Sequence, residues 1–559
     1  MWRVALLLSL ALVVQASPEC RCFPGDACWP SVQQWDEFNS TIEGRLSATI
    51  PLGSVCHQSG EFGAYDADAC ERVIANWEYP VTHYASPASP MSSWWSNFSC
   101  DPFLPRDTPC DIGTLQRFSV NVTGVDDVRK TLQFSREHNL RIVIRNTGHD
   151  YLGKSTAPGA VALWVHHLKD IHHLRYSSPG YNGSALRIGA GVQGFDAMAA
   201  ARTHNEVIVI GNCRRIGIAG GYTQGGGHSQ LMWHFGLAAD QVLEWEVVTA
   251  DGDHLTVSPV ANEDLFWALN GGGGGTFAVV ISVTVKTHPE MITSAATLTV
   301  DIADIASQTF HKLLRTFIVG ILPLVDSGAV AVWSIVGAQF SVTPITLPGG
   351  QKQQLQNGLA STLDLLKKHK INHKYSSKEF PTFYDSYTVM TPDANITEAQ
   401  LGGRLISRST IDSNVTALVS TVQKLATQEV VVSGISMNIS RITAPFRSAN
   451  PAWRNAGISM VIGTPYNYTS RAQAVRDQSL MTESYMPSLT ELSPESGAYL
   501  NEADWRTPNW QEEFYGENYP ALEAVKFKYD PEHVFWARTA VGSQRWTQNH
   551  DGRLCGMGS

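Results

Sequence analysis

Three glycine-rich loops, each at the end of a predicted strand, constrain this chain more than any other feature of its sequence. They are Arg145-Asn-Thr-Gly-His149, the segment 211–228 and the segment 270–277. Glycine lets backbone amides approach a ligand closely, and successive N–H groups form concavities that bind anions. The need for glycine at the corner of a sheet would explain any one of these loops alone. The prediction of a site for a pyrophosphate or a flat ring therefore depends on the combination of all three.

The residues around these loops alternate between helical and strand patterns. The predicted elements are a capped helix from Thr123, strands at 140–145, 185–188, 207–210 and 277–287, and a helix at 195–204. Asp251-Gly252, between apolar runs at 242–250 and 254–258, predicts a β-hairpin. A hairpin among alternating helices and strands predicts an α+β fold with a mixed sheet, not a repeating parallel winding.

The second half of the chain has a different pattern. From about residue 295 glycine becomes sparser, and the predicted elements are helices at 307–317 and 354–369 and strands at 329–336 and 429–436. A length of 559 residues exceeds what one core normally holds, so a second domain is predicted. The aromatic, turn-rich stretch from about Gly497 either caps that domain or returns to the first.

The first residues have the layout of a cleavable signal peptide. Trp2-Arg3 precede an apolar run from Val4 to Val14, and the small residues Ala16 and Ser17 follow. The run is too short to span a bilayer, although an N-terminal anchor is the alternative. We therefore expect a secreted protein that is not embedded in a membrane.

Export predicts glycans and oxidised cysteines. Sequons for N-glycosylation stand at Asn39, Asn97, Asn121, Asn182, Asn395, Asn414, Asn438 and Asn467. Seven of the nine cysteines lie in the first fifth of the chain, and Cys555 lies at the far end. An exported protein pairs its thiols, so the isolated Cys213 is expected to have another role or to be an inert buried thiol. The pairing of the other eight stays open, although a bridge to Cys555 would join the two ends.

The charge balance limits the partners. A net charge of −10 disfavours nucleic acid and anionic membranes, so the expected partner of this chain is a small molecule. We expect a monomer.

Two local patterns suggest other chemistry. Gly189-Ala-Gly191-Val-Gln-Gly194 fits a dinucleotide-binding loop of the Rossmann type, but the following strand ends in Gly211-Asn212 without the carboxylate that binds the ribose. The histidines at 166, 167, 172 and 173 suggest a metal site, but adjacent side chains point in different directions and no matching ligand cluster is recognisable. A structural role is favoured for both, and no metal site is predicted.

The glycine-rich loops carry a family resemblance. The matching elements are Arg145-x-x-Gly-His149, Gly211-x-Cys213-x-x-Ile-Gly217, Gly220-Gly-Tyr-x-x-Gly-Gly-Gly-His228, Gly236 to Asp240 and Gly271 to Val280. They resemble the FAD domain of the vanillyl-alcohol-oxidase superfamily, which has the PCMH-type fold. Gly497 to Asp504, Tyr515-Gly516, Asn518-Tyr519 and Val525 to Phe535 resemble the closing segment of its berberine-bridge-enzyme-like branch, including secreted fungal members.

The resemblance implies the organisation of the chain and its fold. A signal peptide at 1–17 and a Cys-rich segment at 18–109 precede an FAD-binding domain at 110–290 with a mixed sheet. A substrate domain at 291–490 is expected to place an antiparallel sheet over the flavin, and residues 491–559 complete the FAD site.

The resemblance also implies roles for residues. His149 is expected to bond the 8α-methyl carbon of the flavin and Cys213 the ring carbon C6, which gives the unpaired cysteine a function. The other expected cofactor-binding residues are Arg145, Asn146, Thr147, Gly148, Asp150, Gly217, Gly220, Gly221, Tyr222, Gly226, His228, Asp240, Val280, Asn518 and Tyr519. The chain departs from the family pattern at Arg214-Arg215, which could bind an anion or distort the loop, and at Ile216, where members use a smaller residue that admits oxygen.

The function that this resemblance implies is a secreted oxidase. Hydride passes from an alcohol, carbohydrate or amine to FAD, a base takes a substrate proton, and molecular oxygen becomes hydrogen peroxide. Tyr499 is the first candidate for the base, with Tyr222 and Tyr384 behind it, although packing is the commoner role of such residues. The alternatives are a flavin-binding protein with little turnover, a flavin dehydrogenase with another acceptor, and an NAD-dependent dehydrogenase.

Overall fold

The structure is a computed structural model that describes residues 20–396, 398–445, 447–468 and 470–557. The predicted signal peptide at 1–17 lies outside these residues. In the described ranges, no helix combines the length and the apolar character needed to cross a membrane.

The strands are numbered here in chain order. They are β1 Leu46–Ala48, β2 Phe118–Asn121, β3 Ile142–Arg145, β4 Val161–Trp164, β5 Ile171–Ser178, β6 Tyr181–Gly189, β7 Glu206–Val207, β8 Val242–Val248, β9 His254–Val257, β10 Val279–Lys286, β11 His288–Pro289, β12 Thr293–Asp301, β13 Val330–Val336, β14 Gln339–Pro348, β15 His373–Phe380, β16 Ala399–Ser407, β17 Val431–Ser436, β18 Ala456–Pro465, β19 Trp546–Gln548 and β20 Leu554–Gly556.

The α-helices are numbered in the same way. They are α1 Val32–Thr41, α2 Ala67–Ala75, α3 Pro80–Tyr84, α4 Val125–Glu137, α5 Gly194–Arg202, α6 Met232–Phe235, α7 Glu263–Leu269, α8 Ser307–Gly320, α9 Leu322–Asp326, α10 Lys352–Lys368, α11 Phe383–Met390, α12 Arg408–Thr427, α13 Arg471–Leu480, α14 Met486–Thr490, α15 Trp510–Tyr515 and α16 Tyr519–Tyr529.

The first half of the chain forms two main sheets, and the expected mixed sheet is one of them. The sheet β1-β2-β4-β3 is mixed, because β2 and β3 run parallel to β4 and β1 runs antiparallel to β2. The sheet β5-β6-β10-β8-β9 is antiparallel throughout. The hairpin at Asp251-Gly252 is confirmed by the pairing of β8 with β9. The strand predicted at 207–210 was wrong in extent, since β7 ends at Val207 and its partner is the short β11.

The second half builds one seven-stranded antiparallel sheet in the order β15-β12-β14-β13-β17-β18-β16. The side chains alternate along its strands, as the pleat requires. Trp333, Val432 and Met460 point to one face and pack in a core with helices α8, α10 and α12. Val332, Ser433 and Val461 belong to the opposite face, which lines a large cavity. The boundaries 110–290 and 291–490 stay our proposed division of the chain.

The C-terminal stretch returns to the first half. Ala498, Leu522 and Val541 are buried in the same hydrophobic core as β4, β8 and β10, and Phe535 forms a parallel bridge with Ile142 of β3. The sequence left open whether this stretch caps the second domain or returns to the first, and the structure shows that it returns to the first.

Four disulfides use eight of the nine cysteines. They join Cys20 to Cys555, Cys22 to Cys28, Cys56 to Cys70 and Cys100 to Cys110. Cys213 is the free cysteine. The bridge that would join the two ends of the chain is therefore present.

The glycine pattern at 189–194 and the histidines at 166–173 have structural explanations. Gly189 and Gly191 allow close backbone packing, because a Cβ would lie 2.4 Å from the carbonyl oxygen of Leu168 and 2.0 Å from that of His166, respectively. Strand β6 has antiparallel neighbours, unlike the first strand of a Rossmann unit. His173 contacts Glu206 at 3.0 Å and His167 contacts Asn121 at 2.6 Å, so these two histidines have partners within the protein.

Candidate active site

A cavity of about 1040 Å³ lies between the glycine-rich loops and the open face of the seven-stranded sheet. All three loops contribute to its wall, together with the turn 150–155 and the C-terminal segment 499–502. Its volume is at the upper end of the range of about 300–1,000 Å³ for small-molecule sites. The cavity can therefore hold a ligand larger than an ordinary metabolite.

The first loop continues directly from β3. Gly148 has a φ of +82°, and a Cβ there would lie 2.6 Å from the Arg145 guanidinium. Arg145 is fully buried, and its Nη2 donates to the carbonyl oxygen of Ser86 at 3.1 Å and to that of Ser89. Arg145 thus supports the loop from behind, while residues 146–150 face the cavity.

The second loop contains Cys213 and a helical turn, Ile218–Tyr222, that is interrupted at Gly220. Arg214 donates to the carbonyl oxygen of Tyr387 at 3.0 Å, and Arg215 forms an ion pair with Asp393 at 3.1 Å. The two arginines therefore fasten the last turn of α11 and the segment that follows it to this loop, and neither lines the cavity.

His149 and Cys213 meet in the cavity wall. The distance between Nε2 of His149 and Sγ of Cys213 is 3.6 Å, although 64 residues separate them in sequence. Burial lowers the pKa of His149 to about 4, helped by His83, and burial raises the pKa of the Cys213 thiol. Both groups are therefore held neutral, unlike the thiolate and imidazolium of a cysteine hydrolase.

The third loop is held by the C-terminal helix. Lys526 of α16 donates to the carbonyl oxygen of Thr276 at 2.6 Å and pairs with Asp530 at 2.6 Å. Both charged side chains are buried, with 1% and 0% exposure. This contact fixes the strand end next to Gly274 and Gly275, which line the cavity.

The C-terminal segment brings acid–base groups into the cavity. Oε1 of Glu502 lies 3.0 Å from Nε2 of His228. The hydroxyl of Tyr499 accepts from Nδ2 of Asn501 at 2.9 Å, and burial raises its pKa far above the ordinary value. Tyr222 donates to the carbonyl oxygen of His228 at 3.0 Å, and burial raises its pKa as well.

A second carboxyl group lies where β16 begins. Glu398 lines the cavity and accepts from the backbone N–H of Ser93 at 3.1 Å and from its hydroxyl at 3.2 Å. Burial raises its pKa to about 7, with a further contribution from Asp101. Glu398 thus joins the Cys-rich segment to the large sheet and titrates near neutrality.

The structure brings thirteen of the predicted catalytic and cofactor-binding residues into this one cavity. They are Asn146, Thr147, Gly148, His149, Asp150, Cys213, Gly217, Gly220, Gly221, Tyr222, His228, Val280 and Tyr499. Gly217 approaches Asn146 so closely that a Cβ would lie 2.2 Å from its amide nitrogen. The loops are therefore packed against each other as well as against the cavity.

Six other predicted residues do not line the cavity, and their expected contact with the ligand stays a prediction. Asp240 binds Arg454 at 2.8 Å, and Arg145 supports the first loop. Asn518 donates to the carbonyl oxygens of Ser448 and Ala449, and Tyr519 to Gln544 at 2.7 Å.

The other two predicted residues, Gly226 and Tyr384, lie outside the cavity because they pack against other parts of the protein. A Cβ at Gly226 would face Leu237 and Ala449 at 3.6 Å and 3.7 Å. Tyr384 stacks on Phe195 with ring centroids 5.8 Å apart and does not line the cavity.

Three charged residues of the cavity were missed by the sequence reasoning. Glu502 stood inside a quoted motif without being assigned, whereas Lys154 and Glu398 belong to no motif. A signal was available for Lys154 alone, because it lies five residues after His149 in the same loop.

The residues of this cavity fit FAD. Oδ1 of Asn146 and Oε1 of Gln224 are buried acceptors without a hydrogen-bond partner in the described part of the chain, and FAD carries hydroxyl and N–H donors. Cβ atoms at Gly221 and Gly275 would have only single neighbours at 3.8 Å, so these glycines leave room beside the backbone. Glycines with exposed amides suit a pyrophosphate and a flat ring.

Comparisons with known proteins also indicate an FAD-binding protein. A family profile described as "FAD binding domain" matches residues 117–258, and one described as "Berberine and berberine like" matches residues 498–542. FAD-linked oxidoreductase sor8 of Hypocrea jecorina is 46% identical over 97% of this chain and 94% of its own length. The crystal structure of VAO-type flavoprotein MtVAO615 from Myceliophthora thermophila C1 matches with a TM-score of 0.92 and 37% identity, over 96% of this chain and 100% of that one.

A more distant structure shares the fold. Glucooligosaccharide oxidase from Acremonium strictum, described with 6-S-cysteinyl, 8α-N1-histidyl FAD, matches with a TM-score of 0.62 and 18% identity, over 77% of this chain and 92% of that one.

Fold and cavity together define a two-domain flavoprotein of the vanillyl-alcohol-oxidase type. The chain belongs to the berberine-bridge-enzyme-like FAD-linked oxidoreductases of that family, and it is an oxidoreductase.

Proposed function

We propose that this protein is a secreted oxidase that transfers hydride from a small alcohol, carbohydrate or amine to FAD tethered at His149 and Cys213, with molecular oxygen as the acceptor. The observation that carries the proposal is the 3.6 Å distance between His149 Nε2 and Cys213 Sγ in the wall of a glycine-lined cavity.

Both side chains are close enough to each other for a double attachment. A neutral imidazole has a free nitrogen lone pair, and the burial that lowers the pKa of His149 keeps it neutral. The 8α-methyl group and ring carbon C6 lie on the same benzenoid ring, so two neighbouring side chains can reach both. The imidazole would replace one C–H bond of the methyl group and the thiol would replace the C6–H bond. The two electrons and two protons released by each attachment would pass to oxygen. The double linkage named for the Acremonium strictum oxidase is of this kind.

We assign the substrate proton to Glu502 instead of the tyrosines. FAD supplies hydride acceptance when bound. Glu502 faces the cavity, and His228 holds one of its oxygens at 3.0 Å, which leaves the other to accept a hydroxyl or amine proton. Tyr499 resists deprotonation because burial raises its pKa, so it serves as a hydrogen-bonding residue beside the substrate.

The open face of the large sheet forms the substrate end of the cavity. Val332, Leu401 and Val461 make this wall apolar, whereas Ser433 and Ser459 add hydroxyl groups. Such a wall suits a mainly apolar molecule with a few polar groups.

A dehydrogenase with another electron acceptor is the second candidate. Ile216 lines the cavity and is bulkier than the residue expected to admit oxygen. The four disulfides fit an oxidising compartment, which supports the proposed secretion and N-glycosylation.

The test of the tether is mass analysis of tryptic peptides after acid precipitation. We expect the mass of the dinucleotide on peptides that contain His149 and Cys213, tethered flavin in each of the variants His149→Ala and Cys213→Ala, and none in the double variant. Retention of tethered flavin by the double variant would place the attachment elsewhere.

The test of the reaction is anaerobic bleaching of the flavin by a panel of alcohols, sugars and amines. Bleaching followed by recovery of colour in air supports an oxidase. Bleaching without recovery in air indicates another acceptor, and a flavin that no substrate class bleaches indicates a binding protein.

A further inference from the structure

Lys154 is an unpaired cation in the wall of the cavity. Its Nζ atom is buried and has no hydrogen-bond partner in the part of the chain that the structure describes. It is also the only lysine or arginine among the described residues that line the cavity.

The neighbouring carboxylate does not neutralise Lys154 through a direct bond. Asp150 accepts from the backbone N–H groups of Leu152 at 3.0 Å and Ser155 at 2.8 Å, and also from that of Lys154. Its oxygens therefore fix the turn 150–155, and this turn holds the lysine side chain at the cavity five residues after His149.

A buried cation without a partner is unfavourable, because its water shell has been removed and nothing replaces it. Burial lowers the pKa of Lys154 to about 8, with Asp150 acting in the opposite direction. The ammonium form is still present at neutral pH, so a negatively charged ligand group would supply the missing partner.

We propose that Lys154 is the anion-binding residue of the cavity and that it contacts an anionic oxygen of the bound ligand. Two sources have this chemistry: an acidic substrate, such as a carboxylate or phenolate, and a phosphate of the dinucleotide. The proposal rests on the proposed function, since it assumes that flavin and substrate share this cavity.

The experiment compares the flavin-loaded protein with the variants Lys154→Met and Lys154→Arg. Isothermal calorimetry measures binding of benzoate and of its neutral isostere benzamide, and the flavin-to-protein ratio is measured on the same samples. Lys374→Met, which removes an exposed lysine of β15, is the control for loss of charge at a distance. Thermal unfolding checks that each variant is folded.

If the anion is that of the substrate, the wild type prefers benzoate to benzamide. Lys154→Met then loses that preference by about 10- to 100-fold at unchanged flavin content, whereas Lys154→Arg and Lys374→Met keep it. If the anion is a cofactor phosphate, flavin content falls in Lys154→Met and recovers in Lys154→Arg, with benzoate preference unaltered.

The proposal is overturned if Lys154→Met changes neither the flavin content nor the preference for benzoate. A protein that carries no flavin in any variant contradicts the proposed function instead, and calorimetry still reports whether Lys154 selects the anion.

Discussion

The sharpest stability prediction concerns two lysines on the same helix, α16. Lys526 is buried and Lys528 is 60% exposed, yet each pairs with an aspartate at nearly the same distance, 2.6 Å and 2.7 Å. Replacing either with methionine removes one charge and keeps most of the apolar part of the side chain. The difference between the two variants therefore measures the effect of burial.

The expected magnitudes differ severalfold. Lys526→Met leaves the fully buried Asp530 charged without its partner and leaves the carbonyl oxygens of Thr276 and Phe535 without their donor. Breaking a buried pair in this way costs about 3–5 kcal/mol of the free energy of unfolding. Lys528→Met breaks an exposed pair with Asp264 and costs about 0–1 kcal/mol.

The assay is urea unfolding followed by tryptophan fluorescence, together with the flavin content of the purified protein. We expect a clearly lower midpoint for Lys526→Met and a nearly unchanged one for Lys528→Met. The Lys526→Met protein should also contain less flavin, because Thr276, whose carbonyl oxygen Lys526 holds, is part of the third glycine-rich loop. Adding Asp530→Asn to Lys526→Met should recover about 1–2 kcal/mol, since it removes the unpaired charge.

Equal midpoints for Lys526→Met and Lys528→Met would refute the reasoning. So would a double variant no more stable than Lys526→Met, because the cost would then not come from the stranded carboxylate.

Two further predictions concern the carboxyl groups of the cavity. Glu502→Gln keeps an acceptor for His228 but removes the proposed base. Reduction of the flavin under nitrogen, measured by stopped flow, should therefore slow by about 10²- to 10⁴-fold in this variant. Tyr499→Phe should slow the reduction by less than about tenfold, and the opposite order of effects would indicate that the tyrosine is the base. The folded-state pKa of Glu398, about 7, lies above its ordinary value of 4.5, so the folded protein holds a proton that the unfolded chain releases. The stability contributed by this group should therefore fall by about 3 kcal/mol as the pH rises from about 4.5 to about 7. Denaturant unfolding should show a shallower loss in Glu398→Gln, and an identical pH dependence in both proteins would contradict the assigned pKa.

The sequence predicted the parts of the site that are local. Glycines at the ends of strands have a direct backbone meaning, so the three loops could be recognised and expected to meet. The pairing of His149 with Cys213 was implied by resemblance, and the structure places the two side chains together. The hairpin at Asp251-Gly252 was predicted because the turn dipeptide itself specifies the local geometry.

The rest could not be predicted because it depends on tertiary contacts. Asp240 stands in a motif of the flavin domain, yet its carboxylate binds Arg454, 214 residues further along. Glu398 reaches the cavity because the Cys-rich segment packs beside β16, and no local pattern records that contact. The two separate sheets were missed because alternation of side chains indicates strands but does not show which strands pair.

The bridge between Cys20 and Cys555 has a consequence for biosynthesis. The two sulfurs are 535 residues apart, which at about 5–20 residues per second means that one thiol waits roughly half a minute to two minutes for the other to be synthesised. Glu502 and Tyr499 also emerge late, so the pocket is incomplete until the ribosome has nearly finished. Premature termination anywhere before residue 499 would therefore yield a chain that lacks both its proposed base and its closing bond.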